Sequence, residues 1–140
     1  MKKTLLIILP LLLIVGCSKP VEDSTLIKKD GSFTQWYENG QKKYEGNYED
    51  GKKDGSFTQW YENGQKSREV RFDGKEDGLT TEWYENGKKR SEVNYKDGER
   101  DGLQTNWYEN GQKSREVKFK DDNLVLIIGR WNEDGSVRND

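Results

Sequence analysis

Cys17 is the only thiol in the 140 residues, and the chain has no histidine. Imidazole acid/base catalysis, His or Cys metal clusters and disulfide frameworks are therefore excluded at the outset. The chemistry that remains is that of carboxylates, amines, hydroxyls and aromatic rings. Glu45, Glu69, Glu92 and Glu116 recur in one column and would face the same surroundings four times over. A catalytic carboxylate pair needs two unlike environments that push its pKa values apart, so the column argues for a binding or structural protein rather than an enzyme. The Asp-Gly loops at 49–55, 73–78 and 96–102 fit neither the EF-hand nor the nonapeptide calcium spacing and read as solvated turns. Lys and Arg number 24 against 26 Asp and Glu, a formal net charge of −2, with no basic patch of the kind nucleic acid requires. No metal, cofactor or small-molecule substrate is expected.

The surroundings of Cys17 give it a specific use. Lys2 and Lys3 precede an apolar run from Leu5 to Val15 that only Pro10 interrupts, and the run closes on Ile14-Val15-Gly16-Cys17. The run falls well short of the roughly 20 residues that a membrane-spanning helix needs and reads as a secretory leader. Ile14 to Cys17 resembles a bacterial lipobox, in which the cysteine receives diacylglycerol and becomes the first residue after cleavage. The resemblance implies a signal peptide over 1–16 and a lipidated N-terminus with a flexible tether over 17–30. Attachment to the membrane would then be through Cys17. Loss of Lys2 and Lys3 takes the formal charge from −2 to about −4, so acyl chains rather than basic residues would hold the protein to lipid. Ser18 resembles the default for outer-membrane sorting in a two-membrane cell. In a one-membrane source the expected place is the outer face of the plasma membrane. Export also argues against a nucleic-acid partner.

The elements that must position the remaining residues are legible as a repeat. All five tryptophans, Trp36, Trp60, Trp83, Trp107 and Trp131, stand 24, 23, 24 and 24 residues apart, a period long enough for one supersecondary unit. The first four open Trp-Tyr-Glu-Asn-Gly, so Tyr37, Tyr61, Tyr84 and Tyr108 repeat with them. Alanine is absent while Trp, Tyr, Phe and Thr are plentiful, which favours strands. Asn-Gly between two such runs is the signal of a type I′ hairpin, and a second turn follows at each Asp-Gly. The expected fold is all-β: an elongated antiparallel meander of about five hairpins over 31–140, with repeats at about 31–54, 55–77, 78–101 and 102–125 and a partial one at 126–140. A two-residue turn at Asn39-Gly40 sets Tyr37 opposite Lys42, Trp36 opposite Lys43, Thr34 opposite Glu45 and Phe33 opposite Gly46. One stripe then carries the Trp, Thr and Glu columns and the other the Tyr37, Phe33, Val70 and Phe72 columns. The Trp and Tyr columns have two readings, a ladder that holds successive hairpins together or a partly exposed binding surface. Leu124 to Ile128 is the only aliphatic run after the leader and reads as a capping hairpin or a partner-docking strand.

Tyr44-Glu-Gly-Asn-Tyr-Glu-Asp-Gly-Lys-Lys-Asp-Gly-Ser56 resembles the MORN repeat. The later copies, with Arg68, Ser91 or Arg115 for the leading Tyr and an added Trp-Tyr-Glu-Asn-Gly, resemble its bacterial variant. The resemblance spans about 31–135 and implies a solenoid-like single sheet of stacked hairpins. Its leading functional implication is a lipoprotein scaffold in the cell envelope that binds a protein or an envelope polymer. A second implication is an antitoxin or immunity component, since bacterial proteins with this repeat are described as toxin–antitoxin antitoxins. A third, from a fainter similarity of the Trp-Tyr hairpins to choline-binding repeats, is a cell-wall carbohydrate-binding module.

Overall fold

The structure, a computed structural model, describes residues 30–139. The expected leader over 1–16, Cys17 and the expected tether up to residue 29 lie outside the described residues. Ten strands follow: β1 (Gly31–Trp36), β2 (Lys42–Glu49), β3 (Lys52–Trp60), β4 (Lys66–Asp73), β5 (Lys75–Glu76), β6 (Gly78–Trp83), β7 (Lys89–Lys96), β8 (Glu99–Trp107), β9 (Lys113–Lys120) and β10 (Asn123–Arg130). Nine of them form one open antiparallel sheet in strict chain order, with two-residue β5 beside β4. A bridge between Trp131 and Val137 starts a further hairpin. No helix is present among the described residues.

The two turn families differ from the expected assignment. The paired positive φ of a type I′ turn belongs to three of the Asp turns: Asp50 and Gly51 have φ of 49° and 69°, Asp97 and Gly98 of 53° and 86°, and Asp121 and Asp122 of 49° and 61°, while at Asp73-Gly74 only the glycine is left-handed. At the Asn-Gly turns only the glycine is left-handed, with Gly40 at φ 83°. Gly40 N donates to Tyr37 O and Tyr37 N to Gln41 O, the pattern of a three-residue loop in which a type I turn is followed by a left-handed residue. That loop takes one residue more than the expected turn. Trp36 therefore pairs with Lys42 rather than Lys43, and the next pair is Gln35 with Tyr44, so Lys43 bulges. The same irregularity recurs beside Trp60, Trp83 and Trp107. Beyond the bulge the register is as expected, with Thr34 opposite Glu45 and Phe33 opposite Gly46.

One row crosses the sheet through Phe33, Gly46, Phe57, Val70, Thr80, Val93, Gln104 and Val117. Its first half is aromatic. The Phe33, Tyr48, Phe57 and Phe72 rings touch with centroids 5.1–5.8 Å apart, and Tyr48, Phe57 and Val70 are buried. Gly46 is a matter of space there: a Cβ at 46 would lie 2.5 Å from the Phe57 ring. Valine takes the equivalent place at 70, 93 and 117; the row goes on from Val70 to the smaller Thr80, from Val93 to the polar Gln104 and from Val117 to Ile127. The core is a single layer on one face of the sheet rather than a sandwich, so hairpin-to-hairpin contacts must supply the rest of the cohesion.

Candidate functional site

Each Trp-Tyr-Glu-Asn-Gly turn reaches into the next. Tyr37 Oη donates to Trp60 O at 2.8 Å, and Tyr61, Tyr84 and Tyr108 do the same to Trp83 O, Trp107 O and Trp131 O at 2.7, 2.7 and 3.0 Å. Asn39, Asn63, Asn86 and Asn110 donate from Nδ2 to Glu62 O, Glu85 O, Glu109 O and Glu133 O. Their Oδ1 atoms meanwhile accept from the backbone two residues on. The invariant turn is therefore both a hairpin loop and a staple between repeats. Burial raises the Tyr37 and Tyr84 phenols above their ordinary range, with Glu62 and Glu109 adding to the rise.

The tryptophans lie on the face opposite the aromatic row. Lys42, Lys66, Lys89 and Lys113 stand 5.6–5.9 Å from the ring centroids of Trp60, Trp83, Trp107 and Trp131, within the range of a cation–π contact. The same lysines pair with Glu45, Glu69, Glu92 and Glu116. Hydrogen bonding to Lys113 holds the Glu116 carboxyl below the usual range. Trp60, Trp83, Trp107 and Trp131 are half-buried. Trp36, which has no earlier hairpin among the described residues to supply a lysine, is 58 % exposed.

Two surfaces remain outside this stapling. The first is β10, where Leu124, Val125, Leu126, Ile127 and Ile128 are each 45–54 % exposed. It pairs with β9 on one side only, and the hydrogen bond from Arg138 N to Arg130 O covers its outer edge at one end alone. The second is a groove of about 510 Å³ over the polar half of the aromatic face. Thr80, Val93 and Gln104 form part of its lining, with Arg68, Glu82, Arg90, Tyr95 and Arg100 around them. Arg68 pairs with Glu76 at 2.7 Å, and Glu82 lies between Arg68 (3.9 Å) and Arg90 (2.8 Å). Arg100 pairs with Asp122 at 2.7 Å, which lowers the Asp122 carboxyl, and its guanidinium lies 4.0 Å over the Phe119 ring. Burial raises the Tyr95 phenol, helped by Glu76.

The expected Trp and Tyr columns thus line one face and the turns, and Cys17 lies outside the described residues. The groove residues do not stand out in the sequence because they lie outside the columns that stay constant from repeat to repeat. The available signal was the opposite one, since Phe33, Phe57, Thr80 and Gln104 occupy one column and change down the chain. Four segments, 29–50, 53–73, 76–97 and 100–121, match the family described as MORN repeat variant, together well over half of the chain. No curated protein matches the chain significantly. Each matched segment brackets one stapled Trp-Tyr hairpin, and on that correspondence of repeat and structure the chain belongs to the MORN repeat variant family.

Proposed function

We propose that this protein is a membrane-anchored lipoprotein whose MORN sheet serves as an interaction scaffold in the cell envelope, binding rather than transforming its partner. The observation that carries the reading is β10. The Tyr and Asn side chains that recur in the turns bond the next repeat, while five consecutive aliphatic residues at the end of the sheet remain half exposed. A strand of that kind, open along one edge, recruits a partner strand through main-chain hydrogen bonds and apolar contact. The location rests on the basic and apolar leader and on Ile14-Val15-Gly16-Cys17, which supply a lipidation site ahead of the sheet.

The test has two parts. Metabolic labelling with a fatty acid is expected to mark the full-length protein and not Cys17→Ser; label persisting on the variant overturns the anchor. In-cell crosslinking from a photoreactive residue at position 126 is expected to trap a discrete envelope protein, with the adduct lost on Ile127→Lys. Crosslinking that survives Ile127→Lys, or none at all, overturns the docking strand.

A further inference from the structure

We propose that the groove beside Arg68 and Tyr95 binds a neutral, hydroxyl-rich chain, that is, a segment of glycan. The proposal rests on the groove alone and is independent of the anchor and of β10. Its volume, about 510 Å³, is in the range of small-ligand sites, roughly 300–1,000 Å³. Thr80 is only 4 % exposed, and its Oγ1 has no hydrogen-bond partner among the described residues. Buried hydroxyls are almost always satisfied, because an unmade hydrogen bond in such a place is costly. Arg68 Nε is a second buried donor without a hydrogen bond, with Glu82 Oε1 3.9 Å away.

Both atoms are closed to solvent, so a ligand meets them only as their side chains turn towards the groove, and the charges decide what kind of ligand that is. Glu76, Arg68, Glu82 and Arg90 form a chain of alternating sign, so the groups cancel one another. An oxyanion or acidic peptide would find Arg68 and Arg90 already facing carboxylates, with Glu82 between them to repel it. A sugar hydroxyl donates and accepts at once, and vicinal hydroxyls need a donor and an acceptor side by side. Ion-paired planar groups held in place by each other provide that arrangement. Gln104 Nε2 donates to Asn106 Oδ1, which orients both amides and leaves the Gln104 carbonyl as a further acceptor. Tyr95 and Val93 contribute apolar surface suited to the C–H face of a sugar ring.

The groove exists because of substitutions within the repeat. Phe33 and Phe57 fill the row in the first two hairpins, where their rings touch the Tyr48 and Phe72 rings. Thr80 and Gln104 replace them in the next two and leave the space open.

The experiment is isothermal titration of full-length protein, in a detergent without sugar headgroups, against a panel of neutral tetrasaccharides of glucose, mannose, galactose and N-acetylglucosamine. Polyglutamate and inorganic phosphate form the anionic arm. At least one tetrasaccharide is expected to bind, Thr80→Val to weaken it about fivefold, the loss of roughly one hydrogen bond, and Trp36→Ala on the opposite face to leave it unchanged. Thr80→Val removes a buried hydroxyl with no protein partner and conserves shape, so its circular dichroism should match the parent and its melting temperature should equal or exceed it. Should it fail to fold, Gln104→Leu serves the same comparison. No tetrasaccharide bound, an affinity unmoved by the groove substitution, or binding confined to the anionic arm each overturns the proposal.

Discussion

Tyr84 carries the logic of the repeat in one side chain: its ring follows Trp83 in the sequence, yet its hydroxyl serves the carbonyl of Trp107 in the next hairpin. Tyr84→Phe removes that bond while keeping the ring, and is expected to cost about 1 kcal/mol in urea unfolding, the net value of one such bond with its acceptor left behind. Trp83 and Trp36 make a second comparison of identical residues in different places. Trp83 is half-buried under Lys66, so Trp83→Ala is expected to cost about 2 kcal/mol, short of the roughly 3–5 kcal/mol for a wholly buried ring. Trp36, 58 % exposed, should cost less than about 1 kcal/mol on the same substitution. Equal losses at the two positions would refute the staple as the source of the difference. The cheaper end of the ladder is thus the N-terminal one. Trp131, near the other end, still receives the Tyr108 hydroxyl on its carbonyl and Lys113 over its ring.

Within an element the repeats compare themselves. Gly46 faces Phe57, whereas the equivalent Val70 is followed by Thr80 and Val93 by Gln104 along the same row. Gly46→Val alone drives two methyl groups into the Phe57 ring, whose carbons a Cβ would already approach to 2.5 Å, and is expected to destabilise by about 1–3 kcal/mol. Combined with Phe57→Thr, which copies the pairing of the third repeat, the double variant should lose less than the two single variants together; a strictly additive loss would show that the pair is not coupled. The hairpins and their period were legible in the sequence because tryptophans at 24-residue spacing and paired turn signals are local. The turn type was not. Asn-Gly suits a type I′ turn and also a type I turn closed by a left-handed glycine. The choice is made by Asn39 Nδ2 bonding Glu62 O in another hairpin, which no local rule contains. The one-residue change moved Lys42 into the place expected for Lys43 and put it over Trp60. The groove was illegible for a related reason. Arg68, Glu82 and Arg90 come from three strands, and only the register brings them to one face.

At the scale of the molecule, the absence of histidine removes the one side chain whose unperturbed charge changes near neutrality. The pH dependence of stability should then be set by groups at the two extremes. On the acid side, Glu116 is lowered by its hydrogen bond from Lys113 and Asp122 by Arg100. Asp101 is lowered by Lys120 and Asp134 by Ser136. A carboxyl whose folded pKa lies below its unfolded value contributes stability that is complete above the unfolded value, about 3.9 for Asp and 4.3 for Glu. That contribution disappears as pH falls through the folded values. On the alkaline side, Tyr37 and Tyr84 are raised, chiefly by burial, and Lys120 is raised by Asp101 and then Asp121. Groups raised in the folded state contribute fully below their unfolded values, about 10 for Tyr and 10.4 for Lys, and the contribution is lost as pH climbs through the folded ones. For the tyrosines the loss has a structural cause, since a phenolate has no proton to give Trp60 O or Trp107 O. The midpoint of urea unfolding is therefore expected to stay level from about pH 5 to about pH 9, to fall below pH 4 and to fall again above pH 10. Tyr37→Phe with Tyr84→Phe should lower the plateau and flatten the alkaline limb, leaving the acid limb in place. An inflection between pH 6 and 8, or an alkaline limb that the double variant does not change, would show that the hairpin staples are not what holds the sheet at high pH.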